Sequence, residues 1–139
     1  MGAETDLAVM LASITVTRRA GVWTFITVEE PSALAELLLN DASVDAIIRE
    51  DEGMTGIVAV DVAERFGHPV AFEAAWLTLG VHSALEAVGL TAAVSRVLGD
   101  EGIPCNVVAA HYHDHLLVPV DRADDAVRAI EKLREQAEP

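Results

Sequence analysis

Apolar residues recur along the chain at two rhythms, every second position in some stretches and every third or fourth in others. The changes of rhythm mark out the elements. Residues 6–13 carry Leu7, Met10 and Leu11 at helical spacing, which predicts a short helix. Residues 17–21, with two arginines and a glycine, read as a turn. From 22 to 28 the chain is β-branched and aromatic, and Trp23, Phe25 and Thr27 alternate against Thr24, Ile26 and Val28, which predicts a strand. Pro31 opens a helix expected to run to Leu39, because proline is accepted in a first helical turn, and Asn40-Asp41 ends it. Two short strands, 44–49 and 55–60, flank the turn Asp51-Glu52-Gly53. Asp61 and Glu64 have capping-box spacing for a further short helix, with Asp in place of Ser or Thr, and Gly67 and Pro69 stop it.

The same order returns after residue 69. Residues 72–81 read as a strand and 89–100 as a helix, with Val94, Val97 and Leu98 on one side and Gly102 as its left-handed stop. Residues 104–112 and 115–120 read as strands joined by a very tight turn at His113-Asp114. Asp121 caps a last helix in which Ala126, Ile130 and Leu133 face inward while Glu131, Lys132 and Arg134 face water. Two successive strand-helix-strand-strand-helix units predict an α+β fold of tandem ferredoxin-like βαββαβ modules, with antiparallel sheets and helices on one face. The expected halves are residues 1–69 and 70–139. Each is too small for a comfortable core alone, so the two are expected to pack together.

Composition narrows the classes of function. The 139 residues hold 9 Lys plus Arg against 23 Asp plus Glu, a net charge of −14, and 52% are hydrophobic. That hydrophobic content excludes a disordered chain. Asp61, Glu73 and Glu86 interrupt every apolar run before it reaches the ~18 residues of a membrane helix. Glu4 and Asp6 stand where a signal peptide carries Lys or Arg, and Cys105 is the single cysteine, so the expected location is the cytoplasm. The acidity argues against nucleic acid as a partner, and Arg18-Arg19 reads as a solvated loop. No cofactor is expected.

From Leu77 to Val120 the chain carries a denser pattern: Val81-His82-Ser83, Glu86-Ala87-Val88-Gly89, the helix exit Gly102-Ile103, Asn106-Val107-Val108 and Tyr112-His113-Asp114-His115. This stretch closely resembles the small bacterial proteins made of two ACT-like halves, and is more distantly similar to the ACT modules of cytosolic arginine sensors. The match is dense across about the last two-thirds of the chain and weaker over residues 1–20, and the first half fits by element order more than by motif. The resemblance implies a small-molecule sensor, with an amino acid bound near the loop from first strand to first helix, at an interface between paired modules. It implies no specific ligand, and fold alone does not settle function.

On that footing the loop 80–90 is the first candidate site. Amides of Gly89, Leu90 and Thr91 at a helix N-terminus can hold a carboxylate. Gly89 lets a ligand approach the backbone, Ser83 offers a hydroxyl, and Asn106 can read both ends of a zwitterion. Val81, His82, Ser83, Gly89, Leu90, Asn106 and Val107 are the expected ligand-binding residues. As plain structure, the same segment is a loop with a glycine required by its turn.

The second constellation is His111, His113, Asp114 and His115. In an unbroken strand the three imidazoles share one face, as a zinc site needs. The turn at His113-Asp114 breaks that geometry, so no metal site is expected. Asp114 is expected to hydrogen-bond its own backbone in the turn, with His113 and His115 satisfying turn carbonyls or reaching a ligand or a neighbouring chain. His82-Ser83 lacks the G-x-S-x-G of a nucleophile elbow. Cys105 has no basic neighbour and reads as an inert buried thiol, and Trp23 and Trp76 read as packing residues. Gly53-Met54-Thr55-Gly56 lacks phosphate-loop spacing.

Three functions remain open. The first is a regulatory module that binds a small amino acid or similar zwitterion without transforming it. The second is a dimeric interaction protein without a ligand. The third is a metal-dependent enzyme built on the histidine-rich hairpin. Exposed sheet edges make a homodimer the expected state.

Overall fold

The computed structural model describes residues 6–81 and 88–137. Contacts divide the chain into two compact units, residues 21–74 and residues 1–20 with 75–139.

The continuous unit holds the later part of β1 (Thr15–Val28), then α2 (Ala33–Asn40), β2 (Ala46–Glu50), β3 (Gly53–Ala59) and α3 (Val60–Arg65). Its strands are ordered β2-β3-β1, both pairings antiparallel, with Ile26 and Ile47 opposite Gly56 from its two sides. Strand alternation places Ile26, Val28, Met54 and Val58 in one core with Ala35 and Leu38 of α2 and Val62 and Ala63 of α3. A Cβ on Gly56 would lie 3.2 Å from Leu38 Cδ1, so the helix sits tight against the sheet there. The Trp23 indole N–H donates to Asp45 Oδ2 at 2.9 Å, and Phe25 stacks on Phe72.

Helix starts here differ from expectation. Ser32, not Pro31, opens α2, its hydroxyl accepting from the Ala35 N–H at 3.0 Å. Ala59 is the N-cap of α3, and Asp61 lies inside the first turn, so Asp61 and Glu64 form no capping box.

The second unit contains α1 (Leu7–Ser13), the first part of β1, β4 (Ala74–Gly80), α4 (Leu90–Asp100), β5 (Asn106–Ala109), β6 (Asp114–Pro119), a 3-10 turn at Val120–Arg122 and α5 (Ala123–Ala137). Its strands run in the order β1-β4-β6-β5. Ala75, Leu77 and Leu79 of β4 and Leu116 and Val118 of β6 face the helices, where Met10, Ile14, Val94, Leu98 and Ile130 complete a second core. The alternate residues Trp76, Thr78 and His115 face the other way. The fold is α+β, with antiparallel pairing and helices packed on the sheets.

Residues 17–21 make no turn. They are the exposed middle of β1, where Gly21 at φ +125° leaves space that the Trp23 ring fills, 3.1 Å from where a Cβ would stand. The expected strand 104–112 is only Asn106–Ala109. The hairpin loop is 110–113, closed by the Ala110 N–H donating to the His113 carbonyl at 3.0 Å, and Asp114 is the first residue of β6, paired with Ala109. Asp114 is therefore a strand residue, not the turn residue its neighbours suggested. Asp121 lies in the 3-10 turn, which has no side-chain cap. Arg134 is half-buried, donating to the Ile14 carbonyl at 3.3 Å instead of facing water.

Candidate functional site

Val81 follows β4 and packs, with Val107, against the second core, in which the Leu90 side chain is buried. His82 and Ser83 lie outside the described residues. Gly89 is the N-cap of α4 at φ +101°, and no side chain caps this helix among the described residues. Its carbonyl accepts from the Ala93 N–H at 2.9 Å, so the amides of Leu90, Thr91 and Ala92 fall in the turn that has no intrahelical acceptor. The space beside Gly89 belongs to Leu7 of α1, whose Cδ2 lies 2.9 Å from where a Cβ would stand. The glycine serves a positive φ and this helix contact at once. Asn106 opens β5, and its Nδ2 donates to the Leu117 carbonyl at 3.3 Å. Leu90 and Val107 thus have their side chains turned to the core, and what they can offer a ligand is backbone.

The histidines are arranged differently from the single face that an unbroken strand gives. His115 stands on β6 with its ring 5.3 Å from Trp76, and Nδ1 receives the Trp76 indole N–H at 3.2 Å. Thr78 Oγ1 lies 3.0 Å from the same nitrogen. An indole only donates, so Nδ1 accepts and the imidazole proton sits on Nε2. Burial pushes the His115 pKa down from its ordinary value, nearby His113 and Arg19 push it further, and Asp114 opposes them. The His113 ring is 6.2 Å from His115, and Arg19 places its guanidinium carbon 5.2 Å over the Trp76 ring. His111 packs edge-on against Tyr112 instead. Among the described residues no group of three His, Cys, Asp or Glu side chains is placed to hold a metal ion. Burial raises the Cys105 pKa, which keeps its thiol protonated and unreactive.

Three members of this cluster escaped the sequence: Arg19, taken for a loop residue, and Trp76 and Thr78. The available signal was the i, i+2 spacing of Trp76 and Thr78, which sets both on the face opposite Leu77 and Leu79.

Two family models, each describing an ACT domain, match residues 2–75 and 71–132. A crystal structure of a Vibrio cholerae protein of unknown function, described as a possible transport protein, is 36% identical, with a TM-score of 0.80 over 92% of this chain and 95% of its own. The chain belongs to the ACT-domain family. This ACT-domain protein also shares its fold with the regulatory subunit of aspartate kinase from Thermus flavus, at 14% identity and a TM-score of 0.60 over 86% of this chain and 96% of that one. It likewise resembles aspartokinase alpha and beta subunits, at 15% identity and a TM-score of 0.62 over 87% and 97%. No curated protein matches it. Among the described residues no helix is long and apolar enough to cross a membrane.

Proposed function

We propose that this ACT-domain protein is a cytoplasmic regulatory module that binds a small amino acid or similar zwitterion at the loop from β4 to α4 and does not transform it. The observation that carries this reading is the start of α4: a glycine N-cap, no side-chain cap among the described residues, and first-turn amides that have no intrahelical acceptor. Such an end favours a carboxylate by its partial positive charge. In this reading Leu90 contributes its N–H, Ser83 its hydroxyl, and Val81, His82 and Val107 flank the ligand. Asn106 would accept from the ammonium through Oδ1, its Nδ2 being held by Leu117. Regulatory subunits of aspartate kinase share the fold, which supports regulation over catalysis.

A second reading, a homodimer that regulates a partner without a ligand, is favoured by Leu34 and Leu37 on α2, 44% and 60% exposed. A thermal-shift panel of the twenty amino acids separates the two. A true ligand at a hundred times its dissociation constant adds about 2.7 kcal/mol of stability. Ser83→Ala should weaken that ligand about fivefold, the loss of one hydrogen bond worth about 1 kcal/mol. If none of the twenty moves the midpoint, the ligand-free reading stands in its place. Gly89→Val is unsuited to this purpose, because φ +101° strains a β-branched residue whether or not a ligand binds.

A further inference from the structure

Helix α2 carries more apolar surface than its own core uses. Only Ala35 and Leu38 are buried, while Leu34, Leu37 and Leu39 stand 44%, 60% and 42% exposed. A helix that is apolar all round is ordinarily covered all round, and a contiguous exposed apolar patch marks an interaction site. Leu34 and Leu37 border a groove of about 420 Å³ whose further apolar walls are Ala42 and Phe66, the residue that follows α3. We infer that this groove docks a basic amphipathic helix of a partner protein, with the apolar side of that helix on the leucines and its Lys and Arg residues on the groove's acidic margins.

The walls decide for a helix. Away from their ends, α2 and α3 pair their own backbone groups, so the groove offers no row of free N–H and C=O groups to an extended segment. A helix needs none. It satisfies its own backbone and docks through apolar side chains recurring at i, i+3, i+4 and i+7.

Charge decides what else the partner carries. Residues 21–74 hold eleven Asp and Glu side chains, and their Lys and Arg residues are Arg49 and Arg65 alone. Both are already in ion pairs, Arg49 with Glu30 and Arg65 with Asp41, the latter pair lining the groove. Asn40, which also lines it, has the exposed Glu36 one turn before it on α2. Arg65 has the exposed Asp61 one turn before it on α3. Among the described residues neither Glu36 nor Asp61 has an ion-pair partner. Uncompensated carboxylates thus stand on both helices that form the groove. A second copy of the chain would bring the same excess of carboxylates to the same place and be opposed by it, whereas Lys or Arg flanking the apolar stripe of an incoming helix is attracted.

The probes are three synthetic peptides about four helical turns long. One has leucine at i, i+3, i+4 and i+7 and lysine elsewhere, the second has glutamate in place of lysine, and the third is a scrambled leucine-lysine peptide of the first one's composition. Fluorescence anisotropy with the full-length protein should show the ordered leucine-lysine peptide binding saturably, at least about tenfold tighter than either of the others. Leu34→Gln with Leu37→Gln puts good helix formers at exposed positions, so the unfolding midpoint should stay at the parent's while affinity falls at least about tenfold. Glu36→Gln with Asp61→Asn should cost at least about threefold and flatten the dependence on salt. The inference is overturned if the ordered leucine-lysine peptide does not bind saturably, if the scrambled or glutamate peptide binds as well, or if the leucine variant binds as the parent does. It is also overturned if sedimentation shows a parent dimer that the leucine variant dissolves, which assigns the face to a second copy. The amino-acid panel is independent of all these outcomes, because the α4 loop belongs to the other unit.

Discussion

At His115 a hydrogen bond depends on a proton being absent. The folded protein holds this side chain neutral, with its pKa below the ordinary value, while the unfolded chain takes up a proton near pH ~6.5. Below that pH the unfolded state therefore binds more protons than the folded one, and stability must fall as the pH falls. The contribution is complete above about pH 6.5 and is lost progressively beneath it. Denaturant unfolding of the wild type and His115→Gln between about pH 8 and pH 5 should show the wild type losing stability more steeply, because only it carries the titrating ring. Equal slopes would mean that His115 titrates alike in both states. The sequence shows three histidines at alternate positions, yet the partner that gives His115 this behaviour is Trp76, 39 residues away. No local pattern encodes that pairing. The residue types of the site were legible; their neighbours were not.

At the scale of elements, legibility follows how locally each boundary is decided. The start of α2 rests on one side chain, Ser32, which satisfies an amide that the helix itself cannot. Ser32→Ala should cost about 1 kcal/mol in thermal or denaturant unfolding. Pro31 has a strong local signature and places the expected helix start two residues before Ala33, the first residue of α2. Residues 17–21 misled in the opposite direction, because Thr-Arg-Arg-Ala-Gly has the composition of a turn. It forms strand because β1 is exposed along this stretch and tolerates polar side chains, with the glycine accommodating Trp23. The short β5 was overestimated since His111 and Tyr112 look like strand residues, but backbone pairing closes the loop at Ala110 and His113 first.

At the scale of the molecule, two cores are filled from different parts of the chain. Leu77 and Leu98 are fully buried in one, and Leu38 and Met54 in the other. Leu98→Ala should cost about 2–5 kcal/mol in denaturant unfolding, and an unchanged midpoint would contradict the packing of α4 on its sheet. The order of elements could be read from the sequence, since periodicity and stop residues repeat along it. The membership of each core could not, because α1 reaches α5 across contacts such as Arg134 to Ile14, 120 residues apart. That separation matters during synthesis. Residues 21–74 are one uninterrupted stretch and can close their core as soon as they have been made. Met10 and Ile14 are translated before them yet have no complete core to pack in until α5 has been made. Until α5 has been made, the face of the first helix that packs on it stays uncovered, and a truncation that removes α5 leaves that face so.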